Sequence, residues 1–207
     1  STLFPYTTLF RSPNLLVVPA NSPIKSITQL VQTAQAQPGR LRFGSGGSGS
    51  SMHVLAEVFA EQAHVQFEHI PYKSSSQMVQ ELMGGQIDLL INPLLGDVRS
   101  DRIVSIAITG DARSPLAPEV PTFKELGYPL TADAYYGLFG PARLPASIVS
   151  YWDSAIKDMM KSDEFATVMK TVGASPVYMD SATFTAYHAE SNKRFADAID
   201  TLGFKNK

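Results

Sequence analysis

What most constrains the fold of this chain is the regular alternation of short apolar runs with capped helical stretches. "NLLVVP" (14–19) is a β-branched run, and "SITQLVQTAQAQPG" after it opens on a capping box, Ser26 with Gln29, and stops at Pro38-Gly39. "RLRF" is a short strand leading to "SSMHVLAEVFAEQA", where Leu55, Val58, Phe59 and Gln62 fall at helical spacing; "VQFEHIPY" follows as a strand. Ser74 and Gln77 form a second capping box in "SSSQMVQELMGG", which ends at Gly84-Gly85 before the strands "QIDLLINP" and "IVSIAITG". Strands separated by helices of about 10–15 residues imply βαβ units and a mixed, mostly parallel sheet covered on both faces. The class is α/β.

The texture changes after residue 110. Residues 111–129 are rich in proline and polar side chains, "AYYGLFGP" is a strand with an aromatic start, and helices dominate to the end, broken only by the short strand "SPVYM". Two lobes are expected, 13–132 and 133–207. The leader "STLFPYTTLFRS" (1–12) repeats "TLF" and has no local partner. It is set apart as a non-native leader, with an exposed β-hairpin arm as the plainer alternative.

Bulk properties exclude several functions. A chain of 207 residues, 44% hydrophobic, buries about 70% of its unfolded surface. The net charge is −2 and the basic residues are scattered, so the footprint of a nucleic-acid binder is missing. No apolar run approaches the roughly 20 residues that span a bilayer. The absence of cysteine removes disulfide and thiolate chemistry without fixing a compartment.

The functional question centres on "RFGSGGSGSS" (42–51). Gly44, Gly46 and Gly49 satisfy G-x-G-x-x-G, with Glu68 near the position of a ribose-binding acid. Against a dinucleotide site, "RLRF" carries two arginines where an interior strand is expected to be apolar. A P-loop fails for want of Gly-Lys-Ser/Thr, and a nucleophile elbow fails because Ser50 stands where its second glycine belongs. His53 could approach Ser50, but no acid is nominated to orient it. A flexible linker does not fit between a strand and the helix it feeds. A cradle does: backbone amides of Ser45, Gly46, Gly47, Ser48, Gly49, Ser50 and Ser51, with serine hydroxyls and a helix N-terminus, suit a carboxylate or other small anion. "PYKSSSQ" has the same form, with Tyr72, Lys73 and Ser74 at a second helix N-terminus. His64 and His69 are five apart with no second pair at ligand spacing, so no metal site is expected. Trp152 and the methionines at 159, 160 and 169 have the spacing of core residues. Of Tyr135 and Tyr136, strand alternation would aim only one toward a ligand.

The segments "NLLVVPANSPIKSITQLVQTAQAQPGRLRFGSGGSGSSMHVLAEVF", "HIPYKSSSQMVQELMGGQIDLLI", "IAITGDARSPLAPEVPTFKELGY" and "YYGLFGPARLPASIV" together resemble the substrate-binding receptors of tripartite tricarboxylate transporters, the Bug family. The resemblance implies a type II periplasmic binding protein, two-lobed, that closes over a di- or tricarboxylate or similar acid and presents it to membrane permease subunits. It implies no catalysis, no cofactor, a periplasmic location and a monomer at full length. It places the glycine-serine loop and His53 in the ligand cleft. The family's "PYKG" falls on Pro71, Tyr72 and Lys73, with Ser74 in place of the glycine. Asn92 follows the "QIDLLI" strand, and the tyrosine pair stands where a tryptophan is frequent. Family members carry a longer N-terminal part with a proline-glycine-glycine loop that is not found before Pro13, so the first lobe is expected to be incomplete, with weak ligand binding and exposed apolar helix faces. The competing class is a nucleotide-dependent oxidoreductase using the same glycines; a third is a carboxylate sensor without a transport role.

Overall fold

The computed structural model describes residues 3–92 and 101–203. Their elements are β1 (Leu3–Pro13), β2 (Leu15–Pro19), α1 (Ile27–Ala36), β3 (Arg42–Ser45), α2 (Ser51–Ala63), β4 (Glu68–Pro71), α3 (Ser75–Met83), β5 (Leu89–Asn92), β6 (Ile103–Ile108), β7 (Asp133–Pro141), α4 (Ala146–Met159), α5 (Asp163–Val172), β8 (Ser175–Pro176) and α6 (Ser181–Thr201). They divide into two compact units. The first takes Ser1–Ser12 and Ala134–Arg194, the second Pro13–Asp133 and Phe195–Lys207.

The second unit is built on a five-stranded sheet of order β4-β3-β5-β2-β6. β3 is parallel to β4 and β5, and β2 is antiparallel to β5 and β6, so β2 alone runs against the other four. Side-chain alternation along β2 explains why its run is apolar throughout. Leu16 and Val18 join the cluster that holds Ile27 and Leu30 of α1 and Leu55 and Phe59 of α2. Leu15 and Val17 face the opposite cluster, with Met78 and Leu82 of α3. Each such side chain contributes about 1.5–3 kcal/mol on burial, so a polar substitution on either face of β2 removes stability. Phe195 packs against the first of these clusters. Residues 195–203 therefore group with the second unit, whereas the sequence places 133–207 in one lobe.

The serine half of each capping box forms as the spacing requires, while the Gln29 side chain reaches one residue past the cap. Ser26 accepts from the Gln29 amide, and the Gln29 carboxamide oxygen accepts from the Lys25 amide 2.7 Å away. α2 stops at His64, which adopts the left-handed conformation at φ 53° while its amide donates to Ala60 and Glu61 carbonyls.

In the first unit residues 3–13 form a strand, where the sequence suggests a leader or an exposed hairpin arm. β1 is the middle strand of a three-stranded sheet, β7-β1-β8, antiparallel to β8 with Phe10 opposite Pro176 and Arg11 opposite Ser175. Thr7 is buried and its hydroxyl donates to the Met179 carbonyl at 2.9 Å. A side chain at Gly137 would stand 2.6 Å from the Thr7 carbonyl oxygen and 2.5 Å from the Phe184 ring, so β7 and β1 meet through a glycine. The leader is thus an integral strand whose partners lie more than a hundred residues away, which is why no local partner is visible.

A second correction concerns the core of this unit. Met169 is buried, but Trp152 is 46% exposed and Met159 42%. Ile148, Tyr151 and Val168 are exposed as well, and Ile156 is the residue of α4 that is buried. The helical spacing of these residues is real; the partner surface is missing from the described residues.

Candidate functional site

β4, β3 and β5 are adjacent and run the same way, with Ser45 in register with Pro71 and Gly44 with Leu90. Their carboxyl ends therefore gather "GSGGSGSS", "YKS" and Asn92 at one edge of the second unit, the place where open α/β sheets bind ligands. The Asn92 side chain lies outside the described residues; its backbone ends β5. The chain reaches this edge through Gly44. A methyl group there would stand 2.7 Å from Ile87 Cδ1 and 3.3 Å from the Tyr72 ring, so only glycine lets Tyr72 lie over the strand end.

The loop is organised from inside. Ser45 is fully buried. Its Oγ lies 2.6 Å from His69 Nε2, accepts from the Gly47 amide at 3.1 Å and is 3.1 Å from the Gly47 carbonyl oxygen. Ser50 caps α2, accepting from the His53 amide at 3.3 Å, and donates its own amide to the Gly47 carbonyl at 3.1 Å. Gly49, at φ 74°, donates its amide to His53 Nδ1 at 3.1 Å, and Gly47 sits at φ 113°. Both turns need conformations that side chains disfavour. The two imidazoles stack, His53 on His69 at 3.7 Å between centroids, and Phe43 stacks on the other side of His69 at 4.8 Å. Burial holds the His69 imidazole below its ordinary pKa of 6.5.

Of the residues the sequence nominated, Ser45 and His53 turn inward and support the loop. Gly46, Ser48, Gly49 and Ser51 are exposed, with Gly47 and Ser50 half-buried. His53 takes up its own amide cap on Ser50, leaving the Ser51 and Met52 amides of α2 without an acceptor among the described residues. α3 repeats this arrangement: Ser74 accepts from the Gln77 amide at 3.3 Å, and the Ser75 and Ser76 amides are open. Lys73 is exposed beside it. Tyr72 is half-buried, and burial raises its phenol above the ordinary value.

Tyr135 and Tyr136 belong to the first unit and point to opposite faces of β7 as alternation requires. The Tyr135 hydroxyl is 2.7 Å from His188 Nδ1 and its ring meets Phe184 and Tyr187 edge-on. Tyr136, 37% exposed, stacks on Phe10 at 4.4 Å.

His69 was passed over as a site residue because its partners, Ser45 and His53, are 24 and 16 positions away. The signal available was its place one residue before Ile70-Pro71 on a strand parallel to β3. The dinucleotide reading fares badly here. β3 does lie inside the sheet, Arg42 being accommodated by Asp88 at 3.2 Å, so the arginine argument does not hold. Glu68, however, opens β4 opposite Arg42, at the strand end away from the glycines. At about 3.3 Å per residue it is roughly 10 Å from the loop, where it cannot serve a ribose. The Ser45–His69 contact has the form of a hydroxyl–imidazole dyad, yet a fully buried hydroxyl presents no nucleophile. Among the described residues no cluster of three His, Cys, Asp or Glu could hold a metal, and no helix is long and apolar enough to cross a membrane.

An α/β unit of mixed sheet with open amides gathered at its parallel strand ends has the kind of edge at which such sheets bind small ligands. The chain belongs to the family described as tripartite tricarboxylate transporter family receptor, TctC, whose match covers residues 1–204 and so includes β1. It is 34% identical over 190 residues to the UPF0065 protein in the gbd 5' region of Cupriavidus necator, covering 91% of this chain and 58% of that protein. To BugT of Bordetella pertussis it is 28% identical over 209 residues, covering 99% of this chain and 64% of that one. The chain thus spans about six tenths of the length of these curated relatives. Among solved structures it is similar to R. palustris Rpa4515 with adipate, at TM-score 0.89 and 25% identity over 98% of this chain and 69% of that one. MatC from Rhodopseudomonas palustris with bound malate shares the fold, at TM-score 0.83 and 21% identity over 95% and 69% of the two chains.

Proposed function

We propose that this chain is part of a periplasmic receptor that holds a small organic carboxylate on the open amides of α2 and α3 and passes it to the permease of a tripartite tricarboxylate transporter. The observation that carries the reading is the convergence of two helix N-termini, each with two open amides, at adjacent parallel strand ends. An N-terminus favours negative charge and already directs its donors outward. The exposed Ser48 and Ser51 hydroxyls and the Lys73 ammonium add adaptable donors on either side. The adipate and malate held by the two structural relatives make a dicarboxylate the ligand class to test first.

The magnitude is modest for this surface alone. Hydrogen bonds to a charged group contribute about 1.5–3 kcal/mol each, against an association cost of at least about 4 kcal/mol. Millimolar affinity, about −4 kcal/mol, is the expected scale. Calorimetry of the 207-residue chain with adipate and malate checks this; micromolar binding would show that the ligand rests on much more than these amides.

A further inference from the structure

The buried end of the cradle contains more hydrogen-bond partners for Ser45 than the serine has protons. Its single hydroxyl proton can go to His69 Nε2, 2.6 Å away, or to the Gly47 carbonyl, 3.1 Å away, but not to both. We infer that His69 is a positioning residue for the glycine-serine loop, acting through Ser45 and setting by its own proton whether the loop is tied at Gly47.

In the neutral ring with its proton on Nδ1, Nε2 is bare, the Ser45 hydroxyl donates to His69, and the Gly47 carbonyl keeps only the Ser50 amide; this tautomer is the premise of the inference. When His69 takes a proton from solvent, Nε2–H donates to Ser45 Oγ, which also accepts the Gly47 amide at 3.1 Å. These two nearer donors fill the lone pairs and displace the Ser50 hydroxyl, which donates to Ser45 Oγ at 3.4 Å, and the serine proton turns to the Gly47 carbonyl. The loop gains a hydrogen bond across its sharpest turn, between Ser45 and the exposed Ser48.

The groups facing His69 limit the pair to one proton. On β3 these are Phe43 and Ser45; on α2 it is His53, stacked at 3.7 Å. His53 Nδ1 accepts from the Gly49 amide, which puts its proton on Nε2, 3.7 Å from the Glu57 carboxylate. Two stacked imidazolium rings would repel at that distance, and the Gly49 amide already occupies the bare nitrogen of His53, so the nitrogen left to take a proton is on His69. Burial delays protonation of His69 to a pH below the ordinary imidazole range. As pH falls through that point, the loop tightens and the cradle gains a positive charge behind its amides, and carboxylate affinity rises.

The test is an amide and imidazole NMR titration of the 207-residue chain from pH 8 to 5, without ligand, in wild type, H69Q and H69F. The glutamine can hold Ser45 without titrating; phenylalanine keeps the stack on His53 and loses the hydrogen bond. In wild type, the Gly47 and Ser50 amides should move with the His69 ring at one midpoint below 6.5. In H69Q they should stay still, and in H69F they should be displaced throughout. Wild-type amides that ignore the His69 titration would overturn the inference, as would H69F amides at wild-type positions. Only the affinity claim rests on the carboxylate reading, and adipate titrations at pH 7.5 and 5.5 separate the two. Loop amides that respond to pH while adipate moves no resonance support His69 as a positioning residue and remove the proposed ligand. Adipate binding that is equal in wild type and H69F supports the receptor and removes the positioning role, for which about a fivefold loss is expected.

Discussion

Gly44 has no room for a methyl group: an added Cβ would meet Ile87 at 2.7 Å and the Tyr72 ring at 3.3 Å. Gly44→Ala should therefore cost about 1–3 kcal/mol in urea denaturation, the usual range for overpacking. The same substitution should displace Tyr72. The opposite sign is expected at His64, whose left-handed φ of 53° ends α2. His64→Gly should stabilise the chain, by up to about 1 kcal/mol, because a side chain in that conformation costs about 1–2 kcal/mol and glycine does not. Sequence made the loop visible at this scale because Gly47 and Gly49 stand two apart in the turn that needs them. It did not reveal which serine is exposed. Ser45 and Ser48 are alike in "GSGGS", and only the register of β3 on β4 buries one against His69 and leaves the other exposed.

Elements differ in how far their causes lie along the chain. The helices α1, α2, α3 and α5 carry their own start signals, and each N-cap serine accepts from the amide three residues on. Removing the Ser74 hydroxyl should cost about 1 kcal/mol, with protection of the first α3 amides lost in hydrogen exchange. β1 is the contrary case. Nothing within thirty residues of "TLFPYTTLF" pairs with it, and its strand state depends on β7 and β8 at the other end of the sequence. The segment after β8 contributes a pH dependence of its own. Burial, reinforced by the Tyr178 hydrogen bond to Asp153 at 2.7 Å, raises the Tyr178 phenol to about 12. A raised folded-state value favours the neutral phenol, so its contribution is fully present below the unfolded value near 10 and is lost as pH rises through about 12. Urea midpoints at pH 9 and 11.5 should fall more in wild type than in Tyr178→Phe; equal losses would contradict the assignment.

For the whole molecule, the two units differ in how well they bury their own apolar surface. The second unit covers both faces of its sheet with helices, as the alternating pattern implies. In the first unit Ile148, Tyr151, Trp152, Met159 and Val168 remain exposed on α4 and α5. Such a face should bind a hydrophobic dye and promote self-association of the 207-residue chain. A dye-silent monomer in sedimentation would count against it, and Tyr151→Ser with Trp152→Gln should reduce both signals. The central claim is that open amides at the starts of α2 and α3 hold a carboxylate, and residue-resolved amide shifts during an adipate titration at pH 7.5 test it most directly. Ser48, Ser51, Met52, Ser75 and Ser76 should move together along one saturating curve. Adipate that saturates the chain while leaving these five amides in place would contradict it.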